Sequence, residues 1–487
     1  MSVTLALGLL LQGLAVGVVL LLRPRHSAVG LGALFVGVAT IYHGVTELVQ
    51  QIAPGDNPNR RLTSDSQVAD WTLLIGISLL AFTVGYAVIA RRSSVRLGVT
   101  RERVVEYLDW RPTVAFALVL VAIMAVGKGK ASPGVDGSAP TGDLYVTSGL
   151  VTQFLPIALS LASFAILART RGRGLVLVLA AQCALHTLAG QRLEVAISAA
   201  CLLYLLWLVG IPISRKQCLA VVALVAVSYL VILNARAIAG REKFDEGSGF
   251  SQRLNAVTSG VVNSEYVTQA GAVRDLGVRL DGNSYPSIIL KNILNGAPTV
   301  GFVVLGDDVK IAVPRFLDPG KLNSSLESRS LKTRLSSMYG ITNSYDRLPT
   351  QLGELLPIGG PALMVVLAAT GGLMLAGLER LLVGWRSPFG ILGLLALANG
   401  ILLYEGGLQI YTLSARGVFV IGIVLMLWQK TFRSEPVPSR GAGREGGSGR
   451  TRVRTGRRME GPGGRLGKWG ILRGYRPPGI GGRTVWH

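Results

Sequence analysis

The chain has 487 residues, half of them hydrophobic and only 16% charged, with a mean hydropathy of +0.47. That is far more apolar than a soluble domain of this size requires, so composition assigns the chain to membranes. The formal net charge of +22 does not indicate nucleic-acid binding: +11 of it lies from Lys430 onward, and most of the rest falls in short connections between apolar runs, where positive charge sets membrane orientation.

The apolar runs are near twenty residues long, the length that crosses about 30 Å of hydrocarbon at about 1.5 Å per residue. In chain order they predict about eleven spans, over 3–22, 28–49, 71–90, 112–127, 146–168, 174–190, 195–211, 217–234, 352–378, 387–404 and 409–428. No basic residue precedes the first run, which reads as a retained helix and not as a cleaved signal peptide. The predicted fold is an all-α polytopic bundle with a large extracytoplasmic loop that contains short helices. Its regions are 1–234 (about eight spans), the loop 235–351, 352–430 (about three spans) and a basic, Gly/Arg-rich tail over 431–487. Cys183, Cys201 and Cys218 all sit within apolar runs, which argues against a disulfide framework or a cysteine metal site.

Short connections after odd spans hold 15 Lys and Arg, and those after even spans hold 5. The positive-inside bias therefore places the protein in the cytoplasmic membrane with its N-terminus outside, its C-terminus inside and the loop 235–351 outside. Within the loop, the apolar stretches 287–294 and 299–305, with Asn283 or Ser284 as a helix cap and Pro286 in the first turn, predict short helices resting on the outer membrane interface. The tail lacks the aliphatic residues needed to offset its ordering entropy and reads as disordered. No internal repeat of the kind found in secondary transporters is visible.

Charges within spans are costly and point to function. His43 and Glu47 lie one turn apart near the outer end of the second span, His186 near the outer end of the sixth, and Arg192 and Glu194 at the entry to the seventh. Glu354 opens the ninth span, Glu405 ends the tenth, and Arg416 lies about two turns into the eleventh. On this reading the candidate charges belong to the outer half of the membrane, beside a loop that adds Arg236, Arg241, Arg315 and Lys321. Such a cluster suits a phosphorylated lipid, because guanidinium forks hold phosphate oxygens bidentately and stabilise a departing pyrophosphate. Each residue also has a structural reading. Arg192 with Glu194 is a boundary pair at a hairpin, and Arg416 an ion pair with Glu405 or Glu354. His43 with Glu47, and His186, are interhelical polar contacts, while Glu354 is a charge complementing a helix dipole. No GxxxxGKS, HExxH, CxxC or GxSxG motif occurs and no paired acidic motif marks a metal site, so neither a metal nor a nucleotide cofactor is expected.

Four segments carry a family resemblance: Gly190-Gln191-Arg192 entering an aliphatic helix; Ala312-Val313-Pro314-Arg315-Phe316-Leu317-Asp318-Pro319-Gly320-Lys321 in the loop; Leu352-Gly353-Glu354-Leu355 with Gly359-Gly360 at membrane re-entry; and Ser414-Ala415-Arg416-Gly417 in the last span. Their order over roughly residues 140–430 resembles the bacterial O-antigen (oligosaccharide repeat-unit) polymerases of the Wzy type. The external N-terminus, the odd span count, Gly320 between the Pro and Lys, and the basic tail depart from that pattern. The resemblance implies a glycosyltransferase that joins polyprenyl-pyrophosphate-linked oligosaccharides, with no cofactor. Its partners would be the bilayer, that lipid-linked glycan, a flippase and a chain-length regulator. It implies pyrophosphate binding by Arg192, Arg236, Arg315, Lys321 and Arg416, and orientation or deprotonation of the acceptor by Glu354, Glu194 or His186. A ligase passing the same glycan to a different acceptor, a lipid-linked sugar transporter or flippase, and a non-catalytic assembly partner are the competing readings.

Overall fold

The structure, a computed structural model, describes residues 2–22, 30–52, 57–91, 100–127, 143–189, 192–239, 250–262, 280–303, 305–306, 331–341, 350–385 and 388–432. Arg241, Arg315, Lys321, the Gly190-Gln191 pair and the basic tail lie outside them. The described residues are helical and contain no strand. The helices are α1 (Val3–Leu21), α2 (Leu31–Ile52, with a π turn at Ile41–Val45), α3 (Asp65–Ala90), α4 (Arg101–Tyr107), α5 (Trp110–Gly127), α6 (Asp143–Thr170), α7 (Leu175–Ala189) and α8 (Arg192–Leu208). They continue as α9 (Arg215–Ala239), α10 (Phe250–Val262), α11 (Ser284–Leu294), α12 (Leu331–Met338), α13 (Leu356–Gly384), α14 (Pro388–Leu402) and α15 (Gln409–Phe432). Six of the helices are long and apolar enough to cross a membrane: α1, α2, α3, α9, α13 and α15. Shorter apolar stretches in α5, α6, α7, α8 and α14 overlap the remaining predicted spans.

Local sequence sets the helix starts. The Ser2 hydroxyl accepts from the Leu5 amide at the start of α1, and Ser64 with Gln67 forms a reciprocal capping box on α3. Helix α3 is apolar nearly all round, and it is packed on two sides. Against α1, a Cβ on Gly8 would lie 2.7 Å from the Leu73 nitrogen, and one on Gly76 would lie 2.7 Å from the Gly8 oxygen. Against α13, a Cβ on Gly85 would meet the Ala369 oxygen at 2.1 Å, and one on Gly372 the Phe82 oxygen at 2.0 Å. Backbones this close are a usual way for membrane helices to gain dispersion contacts where no hydrophobic force draws them together. Along α3, Trp71, Ile75 and Leu79 are fully buried.

Helix α13 is broken near its start. Gly359 and Gly360 leave helical geometry, Gly360 with φ +79°, and Pro361 follows. A proline cannot donate to the carbonyl four residues back, here that of Pro357. The Val300 amide of the loop donates to it instead, at 2.7 Å. An orphan acceptor made by the helix break thus holds the loop backbone at Val300.

The loop helix α11 corrects the sequence reading that rested it on the membrane interface. Ser284, Tyr285, Pro286, Ser287, Ile289 and Leu290 are buried, and the helix packs on α3 and α13. Asn283 does occupy the N-cap position, but its side chain makes no capping bond. Asp281 takes that role, accepting from the amides of Asn283 and Ser284, each at 3.1 Å. Further on, α10 lies against α9, with Asn234 Nδ2 donating to the Gly260 carbonyl at 3.3 Å. Cys183, Val195, Ile232, Ala235 and Ala256 form a second small core there.

Replacing Gly372 by Ala forces α3 and α13 apart and is expected to destabilise the protein by about 1–3 kcal/mol. Its neighbour Gly371 faces open space, so Gly371→Ala serves as the control. Thermal unfolding in detergent measures both, and equal stability of the two variants would contradict the close crossing.

Candidate functional site

The most developed polar cluster lies where α2 meets the loop. The π turn at Ile41–Val45 adds a residue to one helical turn, and both His43 and Glu47 end up buried. Both amide hydrogens of Asn283 are donated, one to the His43 carbonyl at 2.9 Å and one to Glu47 Oε2 at 3.3 Å. Its Oδ1 therefore accepts from His43 Nδ1 at 2.9 Å, which fixes the imidazole proton on Nδ1. The bare Nε2 then accepts from the Tyr404 phenol at 3.2 Å. Gly282 is held to glycine here, since a Cβ would lie 3.0 Å from His43 Cε1.

Two carboxylates share one cation in this cluster. Arg60 pairs with Glu47 and approaches Asp281 Oδ2 with its Nε at 3.9 Å. Asp281 also accepts from Asn57 Nδ2 at 2.7 Å and from the Ser284 hydroxyl. Burial pushes the Arg60 guanidinium below its usual pKa, while Asp281 and then Asp65 pull it back up. Thr46 Oγ1 donates to the Leu280 carbonyl at 3.1 Å, and the Gly282 amide to that of Tyr42 at 3.3 Å. The cluster joins four chain segments, α2, residues 57–60, the loop start at 280–284 and Tyr404, through bonds to one another. Chemically it is a clasp for the loop.

A second joint forms at re-entry. The Gln351 amide donates to the Tyr404 carbonyl at 3.1 Å, its Nε2 to the Gly400 carbonyl at 2.6 Å, and Tyr411 donates to its Oε1 at 2.8 Å. Glu354 is buried, and its carboxylate accepts from the Leu408 amide in the turn that opens α15. The carboxylate lies over Gly407, whose φ is +69° and where a Cβ would overlap it. Glu354 thus complements a helix start, as its structural reading anticipated, but the helix is α15 and not its own.

The other sequence candidates are placed as follows. His186 is fully buried, and its Nε2 meets Ser198 Oγ at 2.8 Å. Ser198 donates to the Pro156 carbonyl at 3.2 Å, and Ser160 donates to the same carbonyl at 2.7 Å. That knot ties α6, α7 and α8 together. Arg192 is the first residue of α8, described in its backbone only, and Glu194 is half-buried in the same first turn. Arg236 is half-buried in the last turn of α9, beside α10, where Arg253 is buried. Arg416 is half-buried in α15, two residues beyond Ser414, whose hydroxyl accepts from Asn399 Nδ2 at 3.0 Å. The packing of α7, α8 and α9 gathers His186, Arg192, Glu194 and Arg236 at adjoining helix ends. Glu354 lies in the turn before α13 and meets the turn that opens α15, and Arg416 lies about two turns further along α15. Arg315 and Lys321 fall outside the described residues.

Sequence reasoning missed Arg60, Asp281, Asn283 as a side-chain ligand, Tyr404 and Arg253. It also confined intramembrane charge to one half of the membrane, and Glu379 corrects this. Glu379 is buried at the far end of α13, where both of its oxygens accept from the Leu31 amide at 3.2 Å and Oε2 accepts from the Tyr86 phenol at 2.6 Å. Glu379 was not singled out, because the predicted ninth span ended at residue 378. Among the described residues no group of three or more His, Cys, Asp or Glu is arranged to hold a metal ion. No family model, curated protein or solved structure matches the chain.

Replacing Asp281 by Ala removes the acceptor shared by Arg60, Asn57 and the first amides of α11. The expected loss is about 1–3 kcal/mol, with faster protease cleavage within 280–300. Cleavage at the wild-type rate in a variant as stable as wild type would show that the clasp does not hold the loop.

Proposed function

We propose that the protein is a glycosyltransferase with eleven membrane spans that polymerises polyprenyl-pyrophosphate-linked oligosaccharide repeat units on the outer face of the cytoplasmic membrane. One observation carries this reading. Glu354, from the Gly-Glu segment of the family resemblance, engages the Gly407-Leu408 turn of the helix that bears Ser414-Ala415-Arg416-Gly417, at the end of the bundle where the loop folds back. The Gly-Glu segment thereby anchors the start of the helix that carries the second segment.

In this reading the acceptor sugar hydroxyl attacks the anomeric carbon of the donor glycan. The new glycosidic bond forms as the bond from that carbon to pyrophosphate breaks, and the departing pyrophosphate takes up the hydroxyl proton. Arg192, Arg236, Arg315 and Arg416, with Lys321, neutralise the charge that develops on the leaving group. The donor brings its own leaving group, so the reaction needs no nucleotide. Glu354 and His186 already hold fold contacts and act as positioning residues; Glu194, partly open at the mouth of α8, orients the acceptor hydroxyl.

A transporter is the reading that Glu379 favours, since it puts a buried acid at the other end of the bundle. Its carboxylate holds the start of α2 and the Tyr86 phenol, which ties it to the fold and not to a transport route.

Purified protein incubated with lipid-linked repeat units is expected to produce a ladder of longer glycans, and Arg236→Ala and Arg416→Ala to slow it about 10²-fold each. An undiminished ladder in both variants would place the pyrophosphate elsewhere. Products confined to single units moved onto a separate acceptor would identify a ligase.

A further inference from the structure

The end of the bundle away from the loop carries a feature that glycan transfer does not use. The last turns of α13 have two faces. Glu379 turns inward to α2, and the next residue, Arg380, is exposed and makes no hydrogen bond or ion pair among the described residues. Gly377, Arg380, Leu381 and Gly384 follow one another at the i, i+3, i+4 and i+7 spacing that puts them on one helix face. With Trp385 they line a groove of about 630 Å³.

The glycine at 377 does not serve helix packing. A Cβ there would come no closer than 3.8 Å to another residue, the Ile89 Cδ1, whereas one on Gly372 would be 2.0 Å from the Phe82 oxygen. Gly372 allows a close crossing, but Gly377 leaves the helix surface open. The groove's remaining walls suit a bilayer: Leu381 is 62% exposed and Trp385 51% exposed. An indole at a helix end is the usual anchor at headgroup depth. Among the described residues lining the groove none is acidic, and the one charged group is the Arg380 guanidinium.

We propose that this groove binds an anionic phospholipid, with its phosphodiester on Arg380 and one acyl chain laid along the open helix surface at Gly377. Guanidinium matches phosphate oxygens in shape and charge, the glycine floor admits an alkyl chain, and Trp385 packs against the glycerol region. The bilayer supplies this ligand at high local concentration.

Native mass spectrometry of the full chain in mild detergent, titrated with phosphatidylglycerol or phosphatidylcholine, tests the site. Wild type is expected to retain phosphatidylglycerol more tightly than phosphatidylcholine. Arg380→Gln weakens only the phosphatidylglycerol, by about five-fold, the effect of one cation near an anionic headgroup. Arg380→Lys stays within about two-fold of wild type. Gly377→Leu, which fills the floor, weakens both lipids. Unchanged phosphatidylglycerol binding in Arg380→Gln overturns the proposal. So does equal affinity of wild type for the two lipids, or a dimer formed through this face in place of bound lipid.

Discussion

A polar group in the hydrocarbon of a membrane has no water to bond with and must find its partner within the protein. At the loop end of this bundle that constraint is met by Asn283. One side chain satisfies the His43 ring, the His43 carbonyl and Glu47, and it comes from the loop, not from a neighbouring span. The buried polar groups of α2 therefore depend on loop docking, and the loop start depends on α2. Asp281 carries the same dependence outward to Arg60 and Asn57. Once this contact is made, α11 is buried on α3 and α13, Val300 reaches the carbonyl orphaned by Pro361, and Gly353 packs against Thr350 and Pro286. The re-entry segment then lies where Glu354 meets the start of α15. The loop helix α11 acts as part of the bundle's core.

Much of the helical layout was legible because hydrocarbon thickness sets a length that apolar runs must match. The six helices able to span overlap predicted spans, and each of the shorter apolar helices overlaps another. The start of α3 was not read: the predicted span began at 71, whereas the Ser64 capping box starts the helix at Asp65. The π turn was not legible, since no local residue type demands it. Nor was the burial of α11. Its apolar face looks the same whether it meets lipid or protein, and only long-range partners decide between them.

For the candidate site, residue type picked out polar groups that the fold buries but not the partners that hold them. His43, Glu47, His186 and Glu354 stood out as costly charges or rings in apolar runs, and all four are buried. Their partners come from segments distant in sequence, such as Tyr404 for His43 and Leu408 for Glu354, and no spacing rule reaches that far. Glu379 was overlooked because it falls one residue beyond the predicted end of the ninth span. It and Arg380 divide one helix end between the protein interior and the groove.

The account rests on the loop end and the opposite end of the bundle facing different sides of the membrane. Asn295 is exposed just beyond α11, and Lys216 is exposed at the start of α9, so a cysteine at either position reports its side without disturbing the core. With Cys218 replaced, an impermeant maleimide applied to intact cells is predicted to label Asn295→Cys, and to label Lys216→Cys only after the membrane is opened. Labelling of Lys216→Cys but not Asn295→Cys in intact cells would put the loop in the cytoplasm and contradict the proposed chemistry.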